Sequence, residues 1–400
     1  MPEERPALFG GRPVFEKLFP YGKHSMSQED IEAVVSVLES DWITTGPNIA
    51  RFEDETARRL DAAHAVAVSS GTAALHCAAF AAGFGEGDEV ITTPMTFAST
   101  ANCILFRGAT PVFSDIDPGT LNVDPAEIEK KITERTRAII PVHFGGLPCD
   151  MDVIGELARD HRLVVIEDAA HALGALYRGR KVGSISEFTC FSFHPVKHIT
   201  TGEGGLVTTP NRDAAAAMRS FRNHGIGVGA RERQDRGQYY YEMNELGFNY
   251  RITDFQCALG VSQLARLDEL LSRRKELAEL YLSKLKGIPG ITLPPLPREE
   301  GTTHAWHLFV VQLDEELLGA SRDQYFKALR AENVGVNVHY IPVYLHPYYQ
   351  RVLGTGEGLC PRAEAYFKRA LTLPLHANMS EGDVDRVVLA IQKIADWFRK

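Results

Sequence analysis

Nothing in these 400 residues approaches the ~18 consecutive apolar positions that a membrane-crossing helix needs, so no transmembrane helix is expected. The opening stretch MPEERPALFGGRPVF carries charge and early prolines but no apolar core of signal-peptide length, and nothing marks the chain for export. Cysteine is scarce and scattered. Its six copies, Cys77, Cys103, Cys149, Cys190, Cys257 and Cys360, form no CxxC pair. That speaks against a metal site or a disulfide framework and for reduced thiols in a cytoplasm. Basic charge is in deficit, 43 Lys and Arg against 52 Asp and Glu for a net −9, whereas a nucleic-acid binder needs a basic surface. Internal repeats and low-complexity tracts are also lacking. What remains, 44% hydrophobic and 24% charged, is an ordinary globular composition whose length suggests two domains.

Residues 1–24 read as an irregular lead-in. Ser27 and Asp30 then form a capping box, and Ile31, Val34, Val35 and Leu38 follow at helical spacing, which predicts one buried stripe. From residue 64 short apolar runs alternate with amphipathic stretches. Strands are expected at 64–69, 89–92, 111–115, 138–142 and 163–167, with helices at 72–82, 96–106 and 151–161 and another capped by Asp124. Strand, helix, strand with short connections is the pattern of a parallel sheet covered on both faces. Two further strands, 188–193 and 205–208, flank a long turn.

Thr253 and Gln256 make a second capping box, and a helical pattern rich in Leu, Glu and Arg runs on to about Lys286, long enough to join two domains. A proline-rich segment, 289–297, precedes a smaller α+β set: strand 305–313, helix 322–332, strand 336–340 and a last helix capped by Ser380. The division falls near residue 265, giving 1–265 and 266–400.

Three segments carry chemistry. In Ser69-Ser70-Gly71-Thr72-Ala73-Ala74-Leu75 a strand ends in small residues and a helix begins at once. The free N–H groups of a first helical turn bind anions, Gly71 admits a phosphate to the backbone, and Thr72 adds a hydroxyl. Taken alone, the same residues equally describe a tight capped turn. In Val164-Val165-Ile166-Glu167-Asp168-Ala169-Ala170-His171 a hydrophobic strand delivers Asp168 to its C-terminal end, where open α/β sheets bind ligands. Asp168 there is placed either to pair with a protonated heterocyclic nitrogen or to cap a helix.

The third segment, Phe191-Ser192-Phe193-His194-Pro195-Val196-Lys197-His198-Ile199-Thr200-Thr201-Gly202-Glu203-Gly204-Gly205, sets a lysine in a turn between two apolar strands. Lysine is usually solvated, but Lys197 has flanking aromatics and no other charge within four residues. An amine in apolar surroundings loses its proton near neutral pH and attacks carbonyls. A phosphate cup, a carboxylate and a nucleophilic lysine, in that order, are together what pyridoxal 5′-phosphate (PLP) requires.

With these motifs the chain resembles the nucleotide-sugar aminotransferases of the DegT/StrS type, a branch of the fold-type I PLP enzymes. The resemblance extends from about Tyr21 to near the C-terminus. It is densest at 192–205, in Leu246-Gly247-Phe248-Asn249-Tyr250-Arg251 and in His339-Tyr340-Ile341-Pro342-Val343-Tyr344. It implies an α/β large domain with a mostly parallel central sheet flanked by helices, plus a smaller C-terminal α+β domain.

By the same resemblance, Lys197, Asp168 and His171 are the catalytic residues: the Schiff-base lysine, the partner of the pyridine nitrogen, and a neighbour of the phenolic oxygen. Ser70, Gly71, Thr72 and Ser192 would hold the phosphate, and Phe97 would stack on the ring. Asn249 and Arg251 would reach the phosphate of a neighbouring subunit, implying a homodimer with shared sites. Tyr21, Trp42, Ile43, Thr44, His339 and Tyr340 would line the sugar-nucleotide pocket.

The implied reaction moves an amino group from an amino acid, L-glutamate in the family, to a keto sugar nucleotide. The branch most like this chain acts on UDP-linked 4-keto-6-deoxy amino sugars of the pseudaminic-acid type. Related readings are the same transfer onto a dTDP- or GDP-linked keto sugar or a keto-cyclitol, and a PLP-binding regulatory protein. Sugar dehydratases of the same fold carry histidine in place of the lysine, so Lys197 sets that branch aside.

Overall fold

The structure, a computed structural model, describes residues 5–227, 237 and 239–399. Nine strands form among the described residues of the N-terminal part, several of them rich in Val and Ile: β1 (His64–Val68), β2 (Glu89–Thr92), β3 (Thr110–Phe113), β4 (Thr136–Ile140), β5 (Val164–Asp168), β6 (Leu176–Tyr177), β7 (Arg180–Lys181), β8 (Phe188–Ser192) and β9 (Gly205–Thr209). All but the small β6–β7 hairpin join one seven-stranded sheet in the order β1-β9-β8-β5-β4-β2-β3. Every pairing is parallel except those of β9, which runs antiparallel to both neighbours.

Both faces are buried because apolar side chains occupy both sides of the pleat. Val66, Val68, Val90, Ile140, Ile166 and Val207 pack on one side beneath the helix Gly71–Ala82. Ala65, Ala67, Phe191 and Leu206, and separately Ile91, Ile139 and Val165, face the other. The expected mostly parallel sheet flanked by helices is what forms. A second, antiparallel sheet holds β10 (Ile291–Thr292), β11 (Phe309–Leu313) and β12 (Ala370–Leu373). The helices Leu267–Leu285, Arg322–Ala331 and Glu381–Phe398 cover it, sharing a core around Leu277, Tyr281, Phe309, Leu371 and Ile391. Among the described residues no helix is long and apolar enough to cross a membrane, and no group of His, Cys, Asp and Glu is arranged to hold a metal ion.

Four expectations need correction. The stripe on helix Gln28–Leu38 is not buried in the chain: Ile31, Val35 and Leu38 are exposed. A polar anchor turns that helix instead, since buried Asp30 accepts bonds from Ser262 Oγ (2.6 Å), Gln263 Nε2 (2.6 Å) and Arg266 Nη1 (3.2 Å). The long helix after Thr253 breaks at Arg266, where the backbone leaves helical values (φ −99°, ψ 5°) and the helices Asp254–Ala265 and Leu267–Leu285 meet.

Residues 336–340 make no strand. Only Asn337 bridges Thr372 before the chain turns away towards Pro342, and β12, unmarked in the pattern, pairs with β11 instead. The lead-in, grouped by sequence with the N-terminal part, packs on the C-terminal one. Phe15 joins its core, and fully buried Glu332 accepts the amides of Ala7 (2.7 Å) and Val14 (3.0 Å).

Candidate active site

Because β1, β5 and β8 run parallel, their C-terminal ends emerge at one edge of the sheet, and the three chemical segments meet there. The antiparallel insertion of β9 brings its first residue, Gly205, to the same edge. The backbone closes in so far that a Cβ at Gly205 would lie 2.2 Å from Ser70 O, and one at Gly71 would lie 2.9 Å from Ser192 Cβ. Only glycine fits either place. The result is a shallow cup roofed by the N-terminus of helix Gly71–Ala82, whose first-turn amides have no carbonyl within the helix to bond. Ser70 caps that helix, its Oγ accepting from Ala73 N at 3.1 Å.

Asp168 ends β5 with 4% of its surface exposed. It caps no regular helix: Oδ1 accepts from Ala170 N (3.1 Å), and Oδ2 accepts from Thr100 Oγ1 (2.6 Å). Thr100 is in turn 2.6 Å from Thr96 Oγ1, and the helix expected from 96 starts only at Ser99. His171, three residues on from Asp168, is buried, with Nε2 3.2 Å from the Tyr340 hydroxyl and Nδ1 without a hydrogen-bond partner.

Lys197 lies in the turn after β8. Burial depresses its amine to about 8, with the Asp168 charge opposing and the Arg274 charge reinforcing the shift. About a tenth of it is therefore neutral at pH 7, and that is the nucleophilic form. Burial and the Lys197 charge hold the His171 ring well below the usual imidazole range, so it stands neutral beside the lysine.

These groups open onto a cavity of about 1080 Å³. Of the residues expected from sequence, Tyr21, Ser70, Gly71, Thr72, Phe97, Asp168, His171, Ser192, Lys197, His339 and Tyr340 all line it. Phe97 does so with 64% of its surface exposed, so it belongs to no core. His339 donates to or accepts from Thr372 Oγ1 at 2.7 Å through Nδ1, and its ring lies 5.8 Å from that of Tyr21.

Trp42, Ile43, Thr44, Asn249 and Arg251 are not brought to this cavity. Ile43 and Thr44 lie beside the start of helix Asp254–Ala265, where Asp254 N donates to Ile43 O and Thr44 bridges Thr253, while Trp42 N donates to Ser40 Oγ. Asn249 bridges Asn223, whose side chain also accepts from Arg251 Nη1 at 2.9 Å. Sequence reasoning missed Thr100, three residues after Phe97, and missed His307, whose Nε2 is 3.3 Å from Lys197 Nζ. Nothing near His307 in sequence signals the contact.

A bound PLP is consistent with this geometry. The glycine-shaped cup offers backbone amides and the hydroxyls of Thr72 and Ser192 to a phosphate. A buried carboxylate lines the cavity, and His171 carries an unpartnered ring nitrogen, as a site built for a polar ligand would.

Residues 24–392 match the DegT/DnrJ/EryC1/StrS aminotransferase family. The Bacillus subtilis spore coat polysaccharide biosynthesis protein SpsC is 47% identical over 94% of this chain and 96% of its own length. Among solved structures, Helicobacter pylori PseC, an aminotransferase involved in the biosynthesis of pseudoaminic acid, superposes with a TM-score of 0.88 at 32% identity, over 95% of this chain and all of the other. The PLP form of the putative sugar aminotransferase Spr1654 from Streptococcus pneumoniae gives the same TM-score at 31% identity, over 95% of this chain and 99% of the other.

Proposed function

This chain belongs to the DegT/DnrJ/EryC1/StrS aminotransferase family, and on that premise we propose a UDP-linked 4-keto-6-deoxy amino sugar, of the pseudaminic-acid type, as its acceptor and L-glutamate as its donor. The enzyme is a PLP-dependent sugar aminotransferase. One observation carries the finer reading: Lys197 and Asp168 share a cavity of about 1080 Å³ with Tyr21, His339 and Tyr340, leaving room for a sugar nucleotide beside a cofactor. The likeness to PseC in fold, and the motifs at 192–205 and 339–344, support the choice of sugar.

In this reading Gly71, Thr72 and Ser192 hold the cofactor's phosphate, Asp168 keeps its ring nitrogen protonated, and Phe97 covers one face. When bound, PLP supplies an electrophilic carbon for amines and a conjugated ring that takes up negative charge. Lys197 Nζ, neutral in part because burial depresses it, takes the proton from the donor's α-carbon and delivers it again nearby. The hydroxyl of Thr100 fixes the orientation of the Asp168 carboxylate. His339 and Tyr340 hold the acceptor sugar.

Trp42, Ile43, Thr44, Asn249 and Arg251 complete the site of a second copy in a homodimer. None of them lines this chain's own cavity, and the apolar residues Ile31, Val35, Leu38 and Ile43 are exposed, which supports that assignment. The division near residue 265 into a cofactor-binding and a smaller domain is supported by the helix break at Arg266, and a reducing cytoplasm by six buried free thiols.

Glutamate assayed with UDP-, dTDP- and GDP-linked 4-keto-6-deoxy sugars tests the substrate. The UDP amino sugar should give the highest kcat/KM, and faster turnover of another carrier or of a keto-cyclitol would refute it. Mixing two inactive variants, Lys197→Ala and Asn249→Ala, should restore activity if sites are shared. No recovery in a demonstrated mixed dimer would overturn the sharing.

A further inference from the structure

The environment of Lys197 holds two groups that no motif pointed to. His307 reaches the lysine from the segment before β11. Its approach depends on Trp306, which sits in the left-handed region at φ 51°, an uncommon conformation for a bulky residue. The surroundings over-determine that backbone: Ala305 N donates to Gly146 O and His307 N to Gly145 O, both at 2.9 Å, and Trp306 N donates to His304 Nδ1 at 2.8 Å. The buried indole stacks on the His304 ring at 3.9 Å. Strain held in this way concentrates at functional sites. Its local consequence is an imidazole aimed at Nζ, 3.3 Å away, with no partner for its other nitrogen.

Arg274, on helix Leu267–Leu285, is 2% exposed. A buried guanidinium ordinarily pairs with a carboxylate. This one donates to carbonyl oxygens: Nη1 to Leu375 (3.0 Å), Trp306 (3.3 Å) and His307 (3.4 Å), and Nη2 to Val196 (3.3 Å) and Lys197 (3.5 Å). One planar fork thus joins the turn that carries the lysine to the turn that carries the imidazole. Among the described residues no carboxylate is bonded to it.

We propose that His307 is a catalytic contact of Lys197, accepting a hydrogen from Nζ and so aiming it, and that Arg274 is the positioning residue that keeps the two turns in register. The proposal rests on the aminotransferase reading above and adds two residues to it. The groups facing Nζ are Asp168, Arg274 and the neutral imidazoles of His171, His198, His307 and His339. His307 and Arg274 act on the amine in opposite senses. The imidazole stabilises the ammonium by accepting from it, whereas the guanidinium destabilises it as a like charge.

That opposition is testable without cofactor. Acetylation of Lys197 in the apo chain, followed by mass spectrometry against pH, should show half-reaction near pH 8. His307→Phe should move the half-point down, raising the reactive fraction at pH 7 about threefold, and His307→Gln, which keeps an acceptor, should largely restore it. Arg274→Met should move it up, and Arg274→Lys, which keeps the charge, should stay near the parent. In the loaded enzyme His307→Phe should lower kcat about tenfold with little change in KM, the sign of an interaction made in the chemical step.

Shifts in the same direction, or none, would overturn the proposal. Should Arg274→Met fail to fold, the His307→Phe and His307→Gln pair decides alone. A parent holoenzyme lacking any lysine-dependent cofactor band would sink the aminotransferase reading instead, and the apo-chain shifts would stand apart from it.

Discussion

Glu167 and Asp168 are neighbours on β5, and the two-residue pleat sends them to opposite faces of the sheet. Glu167 is fully enclosed: Thr189 Oγ1 donates to Oε1 at 2.9 Å, and Oε2 lies 2.8 Å from His143 Nε2. His143 Nδ1 accepts from Cys149 N at 3.0 Å, so the ring proton sits on Nε2 and points at the carboxylate. Each polar atom of that pair has a protein partner. Asp168 has two donors and a cavity wall, with a lysine amine depressed by burial in its field. The same chemical group serves the fold on one face and chemistry on the other. What separates them is which side of a strand leaves binding capacity for a ligand.

The sharpest way to break this contrast is at the cavity. Lys197→Ala should reduce turnover by roughly 10⁴-fold, to the limit of what a positioned base supplies, and remove the absorbance band of the bound cofactor. Asp168→Asn comes next: kcat should fall about 10²- to 10³-fold while the urea midpoint hardly moves.

Glu167→Gln should behave the other way. It removes the acceptor charge from a wholly buried pair, so unfolding free energy should drop by about 2 kcal/mol while the folded fraction keeps most of its activity. If both substitutions cost mainly activity, or both mainly stability, the division between the two faces is wrong. Thr100→Val, which strips one donor from Asp168, should cost about fivefold in kcat.

A separate effect concerns pH. The folded Lys197 titrates near 8 against 10.5 for the free side chain, so between those values the unfolded chain binds more protons and apo stability rises with pH. Lys197→Met should remove that rise. Urea unfolding at pH 8 and pH 10 would reveal it as a loss of slope.

The sheet and the three chemical segments were legible in sequence because each is local. A run of Val and Ile ending in Ser-Ser-Gly-Thr, or in Glu-Asp, states both its strand and its terminus. Helix Met151–His161 and the caps at Ser27, Thr253 and Ser380 follow from rules that span four residues.

What stayed hidden depends on distant partners. Asp30 orients its helix through residues over 230 positions away, which no apolar stripe records. The segment around Tyr340 alternates like a strand, but β12 takes the place beside β11. His307 meets Lys197 across 110 residues through a left-handed Trp306, and β-branched or aromatic spacing says nothing of that. The exposed face of Ile31, Val35 and Leu38 follows the same logic: spacing gives its apolar character but not whether this chain buries it.

The central claim is a covalent bond at one amine. Incubating the chain with PLP, reducing with borohydride and sequencing the peptides by mass spectrometry should place a phosphopyridoxyl group on Lys197 and on no other lysine. A reduced adduct found elsewhere, or an unmodified Lys197 in a chain that has retained the cofactor, would contradict it.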